Sequence, residues 1–438
     1  MRRSPLTLVL AAALAHTSTA SAQGAGQNTR PSVRVSFTAQ SFTATEAGAS
    51  LPGFSEIALS ATLASPTLDQ GGTEYRIDFR AAGYPQTTSQ DRRISIYDAY
   101  VGRRLGNGLG VRAGQMWLND LGGLGALGGM LVELVRPNVA GFRRVRIGGF
   151  GGLEPQILDA GYVKNVTKAG GYAALEGQGG WRDTFGLVIV RNSGLTERSV
   201  LTTTNFLPFG RRLFVYQAAE FDLKGPAGNG SGGLTYLFAN GRYSPMPIIE
   251  LQAVYHRGRS VDVRGITLDQ LAGRPVSARS LEGLLYESIG GRVTFLIARN
   301  VRLFAGYTRD RNNREDASTA RVTFGGFATN LLGSGVDLNV SDARMRGPST
   351  SYDSWDVSLG RSLTRRMYLS ADYSTSLSSF RLLGPEGFAI DARPRTSRLS
   401  ISDLIRLNGR VSLLASGDRT RDGTLTELRW LLSLISRF

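Results

Sequence analysis

Apolar and polar residues alternate strictly from Met367 to Ser374. Met367, Leu369, Ala371 and Tyr373 fall on one face; Tyr368, Ser370, Asp372 and Ser374 fall on the other. A period of two is that of a β-strand whose faces meet different surroundings. The frame Leu363, Met367, Leu369, Ala371, Tyr373 recurs at Ile297, Val301, Leu303, Ala305, Tyr307. It recurs again at Leu105, Leu109, Val111, Ala113, Gln115 and at Ile405, Gly409, Val411, Leu413, Ala415. Each time, three residues rich in Asn, Gly or Arg separate a strand end from a new alternating strand. Such short connections force antiparallel neighbours. The copies are too divergent to count as a sequence repeat. At the other strand ends, residues 262–280, 309–319 and 417–424 are polar and charged, and read as long loops.

With charge taken to face inward, the strands sort into two rows. Tyr75, Ile77, Phe79 and Ala81 oppose Arg76, Asp78 and Arg80. Val145 and Ile147 oppose Arg144 and Arg146, and Val301 and Leu303 oppose Arg302. Glu220 and Asp222 share a face with Phe214 and Tyr216, and Asp356 and Ser358 alternate with Trp355, Val357 and Leu359. Asp98, Arg112 and Asp372 fall on polar faces by the same rule. An Arg or Lys facing lipid at the bilayer midplane costs roughly 2–4 kcal/mol, so the charged row belongs inside and the apolar row against lipid. The other reading, a soluble sheet with one solvated face, needs helices to cover the second face, and no helical period supplies them.

The N-terminus fits this picture. Arg2 and Arg3 precede an apolar stretch, Leu6–Ala15, and then Ala20-Ser21-Ala22. This is the pattern of an export signal cleaved after Ala22, which leaves residues 23–438 as one barrel domain without a linker. No apolar run of 18 or more residues follows, and there is no cysteine, so neither a membrane helix nor a disulfide framework is available. The net charge is +16, and of 51 basic residues all but Lys164, Lys168 and Lys224 are arginine. A basic wall attracts anions, although a GC-rich coding bias explains the Arg/Lys ratio equally well.

The chain ends TELRWLLSLISRF. Trp430, Leu432, Leu434 and Ser436 alternate with Arg429, Ser433 and Arg437, and Phe438 closes the strand. A terminal aromatic on an alternating strand resembles the insertion signal of Gram-negative outer-membrane β-barrel proteins, and the signal peptide and turn asymmetry extend that likeness along the chain. The resemblance is porin-like. It implies an all-β single antiparallel transmembrane barrel with short periplasmic turns and long extracellular loops. At about 26 residues per strand and connection this gives about 16 strands, with 14 to 18 compatible. It also implies an outer-membrane address, contact with lipid and lipopolysaccharide, delivery by the barrel assembly machinery through Trp430, Leu432, Leu434 and Phe438, and homo-oligomers as one assembly. Two departures stand out: the chain is basic where general porins are acidic, and it lacks a Pro-Glu-Phe-type constriction loop. The stretch Met116–Leu134 is the best candidate for an inward-folded loop, but reads better as a glycine-rich hairpin in the wall.

Chemistry is sparse. Residues 23–438 hold one histidine, His256, on the polar face with Glu250 and Gln252, which excludes a pair of imidazole metal ligands. Gly148–Gly152 lacks the Lys-Ser/Thr of a phosphate loop, and Asn165 carries no glycosylation meaning in a bacterium. Asp310, Glu315 and Asp316 alternate with Arg309, Arg311 and Arg314, as in a self-neutralised loop. No catalytic residue, metal site, cofactor or nucleic-acid partner is expected. Tyr307, Trp355, Tyr373 and Trp430 read as an interfacial belt, and Phe214, Tyr216 and Phe304 as an inner-face set that fits either a stacking track or lumen filling. The expected function is a passive channel for small polar solutes, with anions among them, lined by Arg76, Asp78, Arg80, Asp98, Arg112, Arg144, Arg146, Glu220, Asp222, Arg302, Asp356 and Asp372. A plugged structural or surface-interaction barrel, and an export-machine barrel for polysaccharide or protein, are the alternatives.

Overall fold

A computed structural model describes residues 31–438, leaving out 66–71, 86–91, 157–158, 225–232, 316, 349 and 384–388. The expected signal peptide lies outside the described residues. All described strands join one antiparallel sheet. Its first part runs β1 (Ser32–Glu46), β2 (Ala49–Ala64), β3 (Thr73–Gly83), β4 (Arg92–Gly106), β5 (Leu109–Trp117), β6 (Ala126–Val139), β7 (Phe142–Pro155) and β8 (Tyr162–Glu176). The middle comprises β9 (Arg182–Asn192), β10 (Leu195–Phe209), β11 (Leu213–Lys224), β12 (Gly233–Met246), β13 (Ile249–Ser260), β14 (Leu284–Ala298), β15 (Val301–Asn312) and β16 (Thr319–Ala328). The last part is β17 (Val336–Arg346), β18 (Thr350–Thr364), β19 (Met367–Leu383), β20 (Ala389–Ala392), β21 (Arg395–Arg406), β22 (Val411–Asp422) and β23 (Leu425–Arg437).

Successive strands pair, β20 and β21 excepted, and β23 returns to β1 with Phe37 opposite Leu434. Val33 N–H donates to the Phe438 carbonyl at 3.1 Å, and Phe438 N–H donates to the Val33 carbonyl at 2.8 Å. The sheet therefore closes and leaves no edge to aggregate. Both β20 and β21 pair with β19. They form one stave, interrupted where Pro394, lacking an N–H, cannot donate to the ladder. The wall thus has 22 staves, which corrects the expected 16 (14 to 18).

The correction has two physical causes. Many connections are two-residue turns, as at Asn107-Gly108, where φ is 45° and 78°. Positive φ at both positions matches the twist of a two-residue hairpin, and asparagine and glycine tolerate it best. Polar segments taken for loops are also paired strand: β15 continues to Asn312 and β22 to Asp422, leaving only Gly423-Thr424 between β22 and β23. A charged side chain does not stop a backbone ladder from extending into water. Residues 32–438 consequently supply 22 staves at about 18 residues each.

The outer row is apolar and exposed all round: Ile77, Val101, Met130, Ile147, Phe185, Phe221, Ile289, Leu303, Trp355, Tyr373 and Leu432 each expose 43–57% of their surface. A closed band of that kind is far beyond what a water-facing surface carries. Against lipid it is the ordinary exterior of a transmembrane barrel. The chain is an outer-membrane β-barrel protein, and the alternation from Met367 to Ser374 resolves accordingly, with Tyr373 facing lipid and Asp372 facing inward.

Candidate functional site

Twenty-two strands about 4.8 Å apart and tilted by about 40° close at a backbone diameter of about 44 Å. Along one stretch of wall that interior is filled by packed side chains. On the inner face of β5–β10, Met116, Leu127, Leu131, Phe150, Tyr172, Val188 and Val190 form a buried apolar cluster. The connection between β5 and β6 folds onto it. Its 3-10 segment Asn119–Leu124 packs against β8, β9 and β10, and Leu121 is 1% exposed. Leu121 sits over Gly186, where any Cβ would overlap it. Met116–Leu134 is thus wall at both ends and inward-folded in the middle.

Charges pin this segment. Asp120 accepts from Arg146 at 2.9 Å and also from Arg182. Arg146 lies 3.2 Å from Glu133 and 3.5 Å from Glu176, while Arg144 reaches Glu176 at 2.7 Å. The Tyr172 hydroxyl donates to Glu133. Buried Lys168 donates to the carbonyls of Leu124 (3.3 Å) and Ala126 (3.0 Å). Guanidiniums suit this task because their fixed fork satisfies several carboxylates at once.

A second insertion lies nearby. Between β13 and β14, helix Val263–Leu271 starts at Asp262, whose carboxylate accepts from Gly265 N–H at 2.9 Å in an N-cap. The helix contacts β10, and its Arg264 bridges Glu154 on β7 (2.6 Å) and Glu197 on β10 (2.9 Å). Two insertions from separate parts of the chain therefore dock on the same stretch of inner wall.

All the inner-wall residues selected from the sequence lie in the row opposite the apolar band, but in different settings. Arg76 pairs with Asp98 at 3.0 Å and Asp78 at 3.5 Å, and Asp98 also accepts from Trp117 N–H at 2.9 Å, fixing the start of the inward segment. Arg80 pairs with Glu56, and Arg112 with Glu74 at 3.0 Å. Glu220 and Asp222 both hold Arg198, at 2.9 Å each. Arg302 instead stacks on Phe327. Asp356 and Asp372 border a cavity of about 260 Å³ together with Asn339 and Arg398.

The sequence reading missed Glu56, Glu74, Asp120, Glu133, Glu176, Arg182, Arg198 and Arg264. Glu133 was findable, because it interrupts an apolar run at an inner position of β6. The assumption that charge faces inward fails at one rim. Arg309 and Arg311 on β15, Arg344 on β17 and Arg419 on β22 belong to the outer rows, level with strand ends beyond the apolar band.

No family model and no curated protein matches this sequence. Among solved structures, the ferric enterobactin receptor of Pseudomonas aeruginosa is similar at a TM-score of 0.54 and 10% identity, over 93% of this chain and 80% of that one. That likeness concerns the fold. OccAB2 of Acinetobacter baumannii matches at 0.45 and 10% identity over 93% and 98% of the two chains. OpdQ of Pseudomonas aeruginosa matches at 0.45 and 11% identity over 93% and 97%. Among the described residues no group of His, Asp and Glu has the arrangement of a metal site.

Proposed function

We propose that the protein is a passive outer-membrane channel for small polar solutes. The observation that carries this reading is the division of the inner wall. The β5–β10 side is packed and charge-paired, whereas β17–β22 presents a part-exposed surface of Ser341, Ser358, Ser370, Ser374, Ser400 and Ser416 with Asp356 and Asp372. Hydroxyls with few fixed charges suit passage, since they exchange hydrogen bonds with a hydrated solute without holding it.

A weak anion preference is the finer part of the proposal. Arg292, Arg302 and Arg321 have no carboxylate within ion-pair distance among the described residues, and Arg292 stacks 3.7 Å from the Phe304 ring centre. Their excess over Asp356 and Asp372 is small, because most other inner arginines are neutralised in pairs. The outer-row arginines Arg309 and Arg419 support lipopolysaccharide phosphates as a second partner, whereas Arg311 and Arg344 are paired with Glu287 and Asp342.

The apolar cluster inside β5–β10 favours one rival, a plugged barrel that conducts nothing. Conductance of the full-length protein in a planar bilayer under a salt gradient separates them. The channel reading expects steady conductance with a reversal potential on the anion side. Stable insertion without conductance refutes it.

A further inference from the structure

We propose that the extracellular mouth carries a carbohydrate-binding site, from which a row of aromatic rings descends the inner wall. A cavity of about 410 Å³ lies between the inner face of β10–β14 and the connection that carries helix Val263–Leu271. This is within the ordinary range of small-molecule sites, about 300–1,000 Å³. The rings of Tyr236, His256 and Tyr286 line it, with centres 5.6 Å apart (Tyr236 to His256) and 5.7 Å apart (His256 to Tyr286). Arg198, Glu220 and Asp222 line its polar side. Arg259 ties the wall to the roof by donating to the Glu282 carbonyl at 2.7 Å.

The row continues downward. Phe238 lies 6.3 Å from His256 and 5.9 Å from Tyr216. Phe214 follows two residues along β11 from Tyr216 and meets Phe206 edge-to-face, with ring centres 4.8 Å apart. The strand directions run this series from the extracellular end of β14 to the opposite ends of β10 and β11. Two of the three aromatics picked from the sequence, Phe214 and Tyr216, belong to it; Phe304 belongs instead to the Arg292 stack.

The chemistry selects the ligand. A pyranose has apolar C–H faces, which rest on aromatic faces, and a rim of hydroxyls, each of them both donor and acceptor. Here the rim would meet two carboxylates and the guanidiniums of Arg198 and Arg259. An anion is disfavoured, because Arg198 is already held by both Glu220 and Asp222, and Arg259 is engaged by the carbonyls of Glu282 and Leu281. A purely apolar ligand would leave those groups desolvated without partners, at a cost.

The site stands whether or not the barrel conducts; only the use of the lower rings for passage rests on the channel reading. The test is calorimetric titration of the full-length protein in detergent with maltohexaose, with sodium sulfate as the anionic probe. Saturable maltohexaose binding is expected. It should weaken roughly five- to tenfold in Tyr236→Leu and in Tyr286→Leu, which keep bulk but remove the π face. Tyr236→Phe keeps the face and should bind as the parent does. Absence of maltohexaose binding, equal binding by the leucine variants, or saturable binding of sulfate alone overturns the proposal. Binding without bilayer conductance supports the site and refutes the channel. Conductance without binding does the reverse.

Discussion

Asp120 ties the inward segment to two strands, to β7 through Arg146 and to β9 through Arg182, so Asp120→Asn is a sharp perturbation of the interior. It removes a carboxylate whose side chain is 12% exposed and which serves both Arg146 and Arg182. Truncating one member of a buried pair costs about 3–5 kcal/mol. Two features lower that figure: Arg146 retains Glu133 and Glu176, and Arg182 is 41% exposed, where solvent screens the loss. A cost of roughly 2–3 kcal/mol remains, which is about 30- to 150-fold in the ratio of docked to undocked segment. The readout is hydrogen exchange at Leu118, Leu121 and Gly125, whose N–H groups bond only within the connection, to the carbonyls of Gly125, Leu118 and Gly122. Their protection should fall by that factor, while amides in β14 and β15 stay protected. Unchanged exchange at these three positions would show that the apolar seat alone holds the segment and that the charge network is incidental.

Other consequences follow from the same geometry. Gly186→Val places side-chain atoms where Leu121 sits; it should raise exchange of the segment as Asp120→Asn does, leave the wall intact by circular dichroism, and increase mean conductance. Combining Arg292→Glu, Arg302→Glu and Arg321→Glu should move the reversal potential to the cation side in a salt gradient, whereas Arg112→Glu, in a closed pair with Glu74, should mainly impair folding. Ile289→Arg, in the lipid-facing row of β14, should lower the free energy of unfolding in urea by about 2–4 kcal/mol, and Ser358→Arg, in the inner row of β18, by far less.

The two faces were legible in the sequence because a period of two survives wherever lipid and lumen differ, as along Leu369 to Ser374. The last strand was legible too: the alternation of Trp430, Leu432 and Leu434 marks the strand that pairs with β1. The strand number was not, because Arg309 to Asn312 and Gly417 to Asp422 are as polar as loops yet pair in full. Composition tracks the membrane, and the ladder outlasts it. The inward segment left a faint trace. Leu118, Leu121 and Leu124 recur every three residues inside a chain otherwise written at a period of two, which is the spacing of a 3-10 turn. The charge network was half visible: Arg144 and Arg146 could be read from β7 alone, whereas Asp120 and Arg182 are joined by a fold-back that no local pattern encodes. His256 was readable as a polar-face residue, but its ring neighbours Tyr236 and Tyr286 come from two other strands.

The central claim is that one row of each strand is dry against lipid and the other wet. The chain has no cysteine of its own, so single cysteines at Leu369, Ser370, Ala371, Asp372, Tyr373 and Ser374 can be tested one by one in the outer membrane with a charged, membrane-impermeant thiol reagent. Labelling at 370, 372 and 374 with protection at 369, 371 and 373 is the predicted result. Uniform labelling, or the opposite alternation, would contradict the account.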